Sequence, residues 1–248
     1  MTWIFALPPL WATLLCTLFT WAVTAAGAAL VFAVRKTEGQ WMKLLLGFGV
    51  GVMIAASFWS LLAPAIEQSG SWIMPALGFA AGGAFILLAD RCLGKCQMTM
   101  ETSTRWNFLM ILAVTLHNIP EGMAIGVAFG GNDGIAPWLL ALGIGLQNFP
   151  EGAAVALPLR KEGYSRSKSF FYGQASGFVE PVAGLLGVMA AQSLGSLLPF
   201  LLSFAAGSMM AVVGGELMPE EESDGRQLTI CGMLIGFLVM MILDVALG

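Results

Sequence analysis

Apolar stretches of roughly 20 residues alternate with short polar breaks along the whole chain. A helix of about 20 residues crosses the hydrocarbon core of a bilayer, whereas a barrel strand needs only about ten, alternating in polarity. The pattern therefore predicts an all-α membrane protein with eight transmembrane helices. The spans fall at residues 8–34, 41–64, 72–90, 106–130, 136–159, 169–192, 197–218 and 228–247. The longest connections lie near 91–105, 160–168 and 219–227. No stretch is left for a soluble domain, so residues 1–248 read as a single transmembrane domain.

Composition agrees. The chain is 58% hydrophobic and 10% charged, against about 25% charged in soluble domains. The placement of its 11 basic residues sets an orientation. Arg35, Lys36 and Lys43 flank the first break; Arg91, Lys95 and Arg105 the third; Arg160, Lys161, Arg166 and Lys168 the fifth; Arg226 the seventh. The even-numbered breaks carry none. Basic loops stay in the cytoplasm, so both termini are predicted outside. No basic segment precedes the first apolar run, and no cleaved signal peptide is expected. Four cysteines make no secreted disulfide framework.

Trp41 and Trp106 fall near the predicted inner interface, and Trp11, Trp72 and Trp138 near the outer one, as aromatic belts do. Glycines recur four residues apart at Gly78/Gly82, Gly173/Gly177 and Gly232/Gly236. That spacing lets helix backbones approach closely.

Two spans break the apolar pattern with nearly the same hexapeptide. Span 4 carries His117-Asn118-Ile119-Pro120-Glu121-Gly122. Span 5 carries Gln147-Asn148-Phe149-Pro150-Glu151-Gly152, thirty positions later. Ionisable groups at that depth cost roughly 2.5–3.5 kcal/mol each and usually mark an ion or substrate path. Adjacent spans run in opposite directions, so the motifs form an inverted pair, an arrangement in which transporters place substrate at the repeat interface. His117 and Glu121 share a helix face, as do Gln147 and Glu151. Pro120 and Pro150 cannot donate to the carbonyls of Leu116 and Leu146. One imidazole, two carboxylates and several amide oxygens suit a divalent cation, and two facing glutamates could bridge two ions. Metal loading would compete with protons for the same carboxylates. A third acid, Glu180, precedes Pro181 at similar depth in span 6.

At these residues the chain resembles the ZIP (Zrt/Irt-like) divalent metal transporters, and within them a GufA-like bacterial branch. The resemblance covers essentially the whole chain. It rests on the eight spans, the two hexapeptides and Val179-Glu180-Pro181. It implies a 3+2+3 inverted-repeat bundle, with spans 1–3 and 6–8 related around spans 4 and 5. It implies a binuclear site. One ion would use His117, Glu121, Gln147 and Glu151; the other Asn118, Glu121, Asn148, Glu151 and Glu180, with Glu121 and Glu151 bridging. Met53 in span 2 matches a family methionine that reaches the first ion. Many relatives have His at the position of Gln147, and some have Asp at that of Asn148. This chain therefore holds a single imidazole and less negative charge.

The expected activity is transport of a divalent transition metal into the cytoplasm by alternating access. Zinc is the first expectation, with iron(II), manganese and cadmium also suited, each as cargo and none as a cofactor. The partners are the metal and the lipid bilayer, with a homodimer compatible and nucleic acid excluded. The location is the cell's inner or plasma membrane. A metal-gated channel or metal sensor is the alternative. An enzyme is not expected: a His-Glu-x-x-His zinc site and a pair of Glu-x-x-His motifs each need more than the one histidine present. Cys92, Cys96, Met98 and Met100 could receive an emerging metal, and Glu216, Glu220, Glu221, Glu222 and Asp224 could draw cations off the site. Asp90, Asp133 and Asp244 lie near span ends and are read as interface polarity.

Overall fold

The computed structural model describes residues 7–33, 40–96, 102–131, 134–216 and 223–247, and its regular elements there are all helical. Helix α1 (Pro9–Ala28) opens on a proline, whose missing donor is no loss in a first turn. It continues past Ala29 into α2 (Leu30–Ala33). Helix α3 (Gln40–Ala56) widens into a π-helical segment, Ser57–Leu62, before α4 (Ala63–Ser69). Two local causes coincide there. The Ser57 hydroxyl donates to the Met53 carbonyl at 2.7 Å, and Pro64 cannot donate back to Ser60. Gly70 ends α4 at φ +58°, a left-handed cap that glycine accepts freely.

Helix α5 (Ile73–Cys96) follows, then the long α6 (Thr102–Gly131) and α7 (Ala136–Lys161). Pro120 lies inside α6, and Pro150 and Pro158 inside α7. The sixth predicted span is two helices. The Ser165 hydroxyl, accepting from the Lys168 amide, caps α8 (Arg166–Ser176), and after a turn at Gly177–Phe178 comes α9 (Val179–Ser193). A 3₁₀ turn, Gly195–Leu197, leads into α10 (Leu198–Glu216), and α11 (Ser223–Ala246) completes the described chain.

Among the described residues, five stretches are long and apolar enough to cross a membrane: Pro9–Ala33, Gln40–Ser69, Ile73–Cys92, Gly195–Gly214 and Arg226–Ala246. Helices α6 and α7 have 30 and 26 residues, which at 1.5 Å per residue is about 45 and 39 Å. The chain is an all-helical, multi-pass membrane protein.

Four helix pairs make the most extensive contacts: α3 with α11, α6 with α9, α5 with α10, and α1 with α7. Glycine explains each. A Cβ at Gly51 would sit 2.0 Å from the Met233 carbonyl oxygen, and one at Gly236 2.0 Å from that of Phe48. Gly82 and Gly207 make the same approach to Phe204 and Phe79. Gly27 meets the Phe149 carbonyl, Gly152 that of Thr24, and Gly126 that of Gly184. These seams are backbone against backbone. The expected close contacts at Gly78/Gly82 and Gly232/Gly236 are present.

Polarity is turned inward. Outer faces carry Leu77, Leu87 and Leu88 on α5 and Leu234, Leu238 and Ile242 on α11, all exposed, while Thr20, Asn118, Glu121, Asn148 and Glu180 are buried. Trp11, Trp41 and Trp72 are exposed, as belt residues are. Trp138 departs from the belt expectation: it packs edge-on against Phe129, ring centroids 5.1 Å apart, and joins the core. It sits in the first turn of α7, where the α6–α7 corner folds it inward. Trp106 carries no described side chain.

Candidate metal centre

The two hexapeptides face each other across α6 and α7, and each is gripped by a third helix through its final glycine. A Cβ at Gly122 would lie 2.4 Å from the Glu180 carbonyl oxygen on α9, and one at Gly152 2.0 Å from that of Thr24 on α1. Only glycine lets the motifs sit this deep between neighbours.

The polar side chains then meet in two pairs. The Gln147 Nε2 donates to Glu121 Oε1, joining α7 to α6. The Asn148 Nδ2 donates to Glu180 Oε1 at 2.9 Å, joining α7 to α9, and lies 3.3 Å from the Thr20 carbonyl. The Thr20 hydroxyl donates to the other oxygen of Glu180. Glu121 and Glu180 are 1% and 0% exposed; neither faces lipid. Asn118, Gln147 and Asn148 are buried beside them, whereas His117 and Glu151 are partly exposed. Met53 is buried on α3. That helix passes α7 at this level, since a Cβ at Gly49 would lie 3.5 Å from Gln147 Cβ.

The structure thus joins Glu121 with Gln147, and Asn148 with Glu180. Among the described residues no three His, Cys, Asp or Glu side chains cluster as a metal-binding group; amides stand between the acids. Those amides are themselves informative. Asn118 Oδ1, Gln147 Oε1 and Asn148 Oδ1 are buried with no hydrogen-bond partner among the described residues. A buried carbonyl-type oxygen left unmatched costs roughly 1–3 kcal/mol, and a hard or borderline cation matches it. The residues present fit a divalent ion held by carboxylate and amide oxygens, with the imidazole of His117 at the edge.

Two features escaped the sequence reading. Thr20 is one; its signal was legible as a stripe, Thr13, Thr17, Thr20 and Thr24, at helical spacing. Asp244 is the other. Both its carboxylate oxygens lie 2.8 Å from the Ser60 hydroxyl, and it lines a cavity of about 540 Å³ with Glu67, Gln68 and Trp59. Its partner Ser60 lies in the π segment, so this contact joins that segment to α11. Met98, Met100, Asp133 and Glu220–Glu222 lie outside the described residues, as do the side chains of Cys96, Glu216 and Asp224.

The family model described as ZIP Zinc transporter matches residues 97–244. The chain is 39% identical to a protein named Zinc transporter ZIP11 from Xenopus tropicalis, covering 97% of this chain and 98% of that one. It is 37% identical to Zinc transporter GufA of Myxococcus xanthus over 96% of this chain and 99% of the relative. It is 35% identical to Zinc transporter ZIPB of Bordetella bronchiseptica, over 92% and 78%. With the paired hexapeptides inside the matched region, the chain belongs to the ZIP zinc transporter family.

Proposed function

We propose that this protein carries divalent transition metal, zinc foremost, across a membrane into the cytoplasm through the buried centre between α6 and α7. Iron(II), manganese and cadmium are the other suited cargoes. The single observation that carries the reading is the inward meeting of matched polar motifs in a chain whose outer faces are apolar. Three relatives bear the name zinc transporter. In this reading Glu121 and Glu151 bridge two ions. His117 and Gln147 complete one site, with Met53 beside it, and Asn118, Asn148 and Glu180 complete the other.

An eight-span inverted repeat is part of the same proposal, and the packing supports it. Exchange the first three spans with the last three, and span 4 with span 5. The α1–α7 pair then becomes α9–α6, and α3–α11 becomes α10–α5. These are the four most extensive contacts. The cavity above the centre supports a route from outside. Its floor includes Ala128 and Leu140, each seven residues from Glu121 or Gln147, or about 10 Å along a helix. Alternating access between that cavity and the basic-loop side, in the cell's inner or plasma membrane with both termini outside, completes the proposal. A homodimer is compatible with it.

The test is radioactive zinc uptake into liposomes, comparing wild type with His117→Ala, Glu121→Ala and Glu151→Ala. Uptake that saturates in wild type and is lost in folded variants supports the carrier. Near-normal flux in all three variants sinks it, and non-saturating flux favours a channel.

A further inference from the structure

Helix α1 holds four threonines at 0% exposure, Thr13, Thr17, Thr20 and Thr24. Three of them can bond back into their own helix: Thr17 Oγ1 to the Thr13 carbonyl at 2.9 Å, Thr20 Oγ1 to that of Thr17 at 3.0 Å, and Thr24 Oγ1 to that of Thr20 at 3.2 Å. That is how a hydroxyl usually satisfies itself in a membrane helix. Thr20 also reaches across to Glu180, where its hydroxyl donates to Oε2.

Its neighbour reaches across as well. Trp21 Nε1 donates to the Gln174 carbonyl at 2.8 Å. Its ring meets Phe178 edge-on, centroids 5.3 Å apart at 72°. Gln174 lies in the last turn of α8, whose carbonyls have no helical donor beyond the break. Thr20 and Trp21 together therefore hold both sides of the α8–α9 break. Gly177, at the break, supplies the room: a Cβ there would lie 3.0 Å from both Glu180 Oε1 and Trp21 Cδ1.

We propose that Thr20, braced by Trp21, is a positioning residue that aims the Glu180 carboxylate at the cation cargo. A carboxylate offers about four lone-pair sites. Thr20 takes one on Oε2, Asn148 one on Oε1 and Thr24 a third, which leaves lone-pair capacity for a metal ion. The Thr20 hydroxyl has one hydrogen and a second acceptor within reach, the Thr17 carbonyl at 3.0 Å. Turned to Thr17, it leaves Asn148 and Thr24 to orient the acid. Occupancy of the Thr20–Glu180 bond thus sets how well the ligand is aimed.

This inference rests on Glu180 being a metal ligand, so the experiment separates the two claims. Zinc uptake kinetics in proteoliposomes are measured for Thr20→Val, Thr20→Ser, Trp21→Phe, Glu180→Gln and the Thr20→Val/Glu180→Gln double variant, with equilibrium zinc binding by the purified proteins. Valine keeps threonine's shape and removes only the hydroxyl. Thr20→Val is expected to raise KM about tenfold with Vmax within about twofold, because a bond to a charged group is lost. Thr20→Ser keeps the wild-type KM, and Trp21→Phe raises it about threefold. In the Glu180→Gln background, Thr20→Val adds nothing. A wild-type KM for Thr20→Val, or a Thr20→Ser as impaired as valine, overturns the positioning role while Glu180→Gln still shows the ligand. A wild-type KM for Glu180→Gln overturns the ligand reading and this inference with it.

Discussion

Single polar side chains give this molecule its purpose, and their visibility in the sequence follows their cost. Glu121, Glu180, Asn118, Gln147 and Asn148 were legible because no apolar stretch carries such groups idly. Thr20 was missed: the threonine stripe of α1 stands in the sequence, but a hydroxyl can bond back to its own helix, so a stripe of them costs little and is easily discounted. Asp244 was passed over because a carboxylate near a span end can be read as wetted. Asn118 offers the sharpest residue-scale test. Both its amide atoms are buried without a partner among the described residues, a situation worth roughly 1–3 kcal/mol of destabilisation. Asn118→Leu, similar in volume, should leave the metal-free protein as stable or about 1 kcal/mol more stable in chemical denaturation. The same variant should bind zinc more weakly by equilibrium dialysis. A metal-free protein clearly weakened by this change would mean that Asn118 serves the fold.

At the scale of elements, glycine decides where helices touch and proline or serine where they deviate. Gly122→Ala would press a methyl within 2.4 Å of the Glu180 carbonyl oxygen, and the two helices must part to admit it. A loss of about 1–3 kcal/mol is expected, the usual cost of overpacking, read as a lower denaturation midpoint. Gly195, with nothing within 4 Å of an added Cβ, is the control and should tolerate alanine. Five of the predicted spans are long and apolar enough to cross a membrane among the described residues. Helix positions were legible to within a few residues because hydropathy integrates over a whole helix. For that reason the break at Gly177–Phe178 and the π segment at Ser57–Leu62 were not. Each spans only a turn or so, and neither changes the mean polarity around it. Gly173/Gly177 had been read as a packing pair. Both do pack, Gly173 against Ala28 and Ala156 and Gly177 against Trp21 and Thr24, and Gly177 also makes space for a carboxylate.

For the whole molecule, the arrangement of apolar exterior and polar centre predicts linkage between cargo and stability. Zinc at about one hundred times its dissociation constant should stabilise the fold by about 2.7 kcal/mol, seen as a rise in melting temperature. Glu121→Gln should blunt that rise; an undiminished shift would place the ion elsewhere. The eight-span count and the orientation were argued from loop charge, and Arg35 and Lys36 lie outside the described residues. The helix pairing could not be read from sequence, because a glycine stripe names a contact face and leaves its partner open. That pairing has a consequence for biosynthesis. Gly47 and Gly51 of α3 find their closest backbone partner in α11, some 180 residues later. During translation this seam stands bare in the bilayer until α11 is delivered, so it closes long after α3 is made. Removing residues 223–248 should strip α3 of its most extensive helix contact and send the truncated product to quality-control proteases, however intact the metal ligands remain.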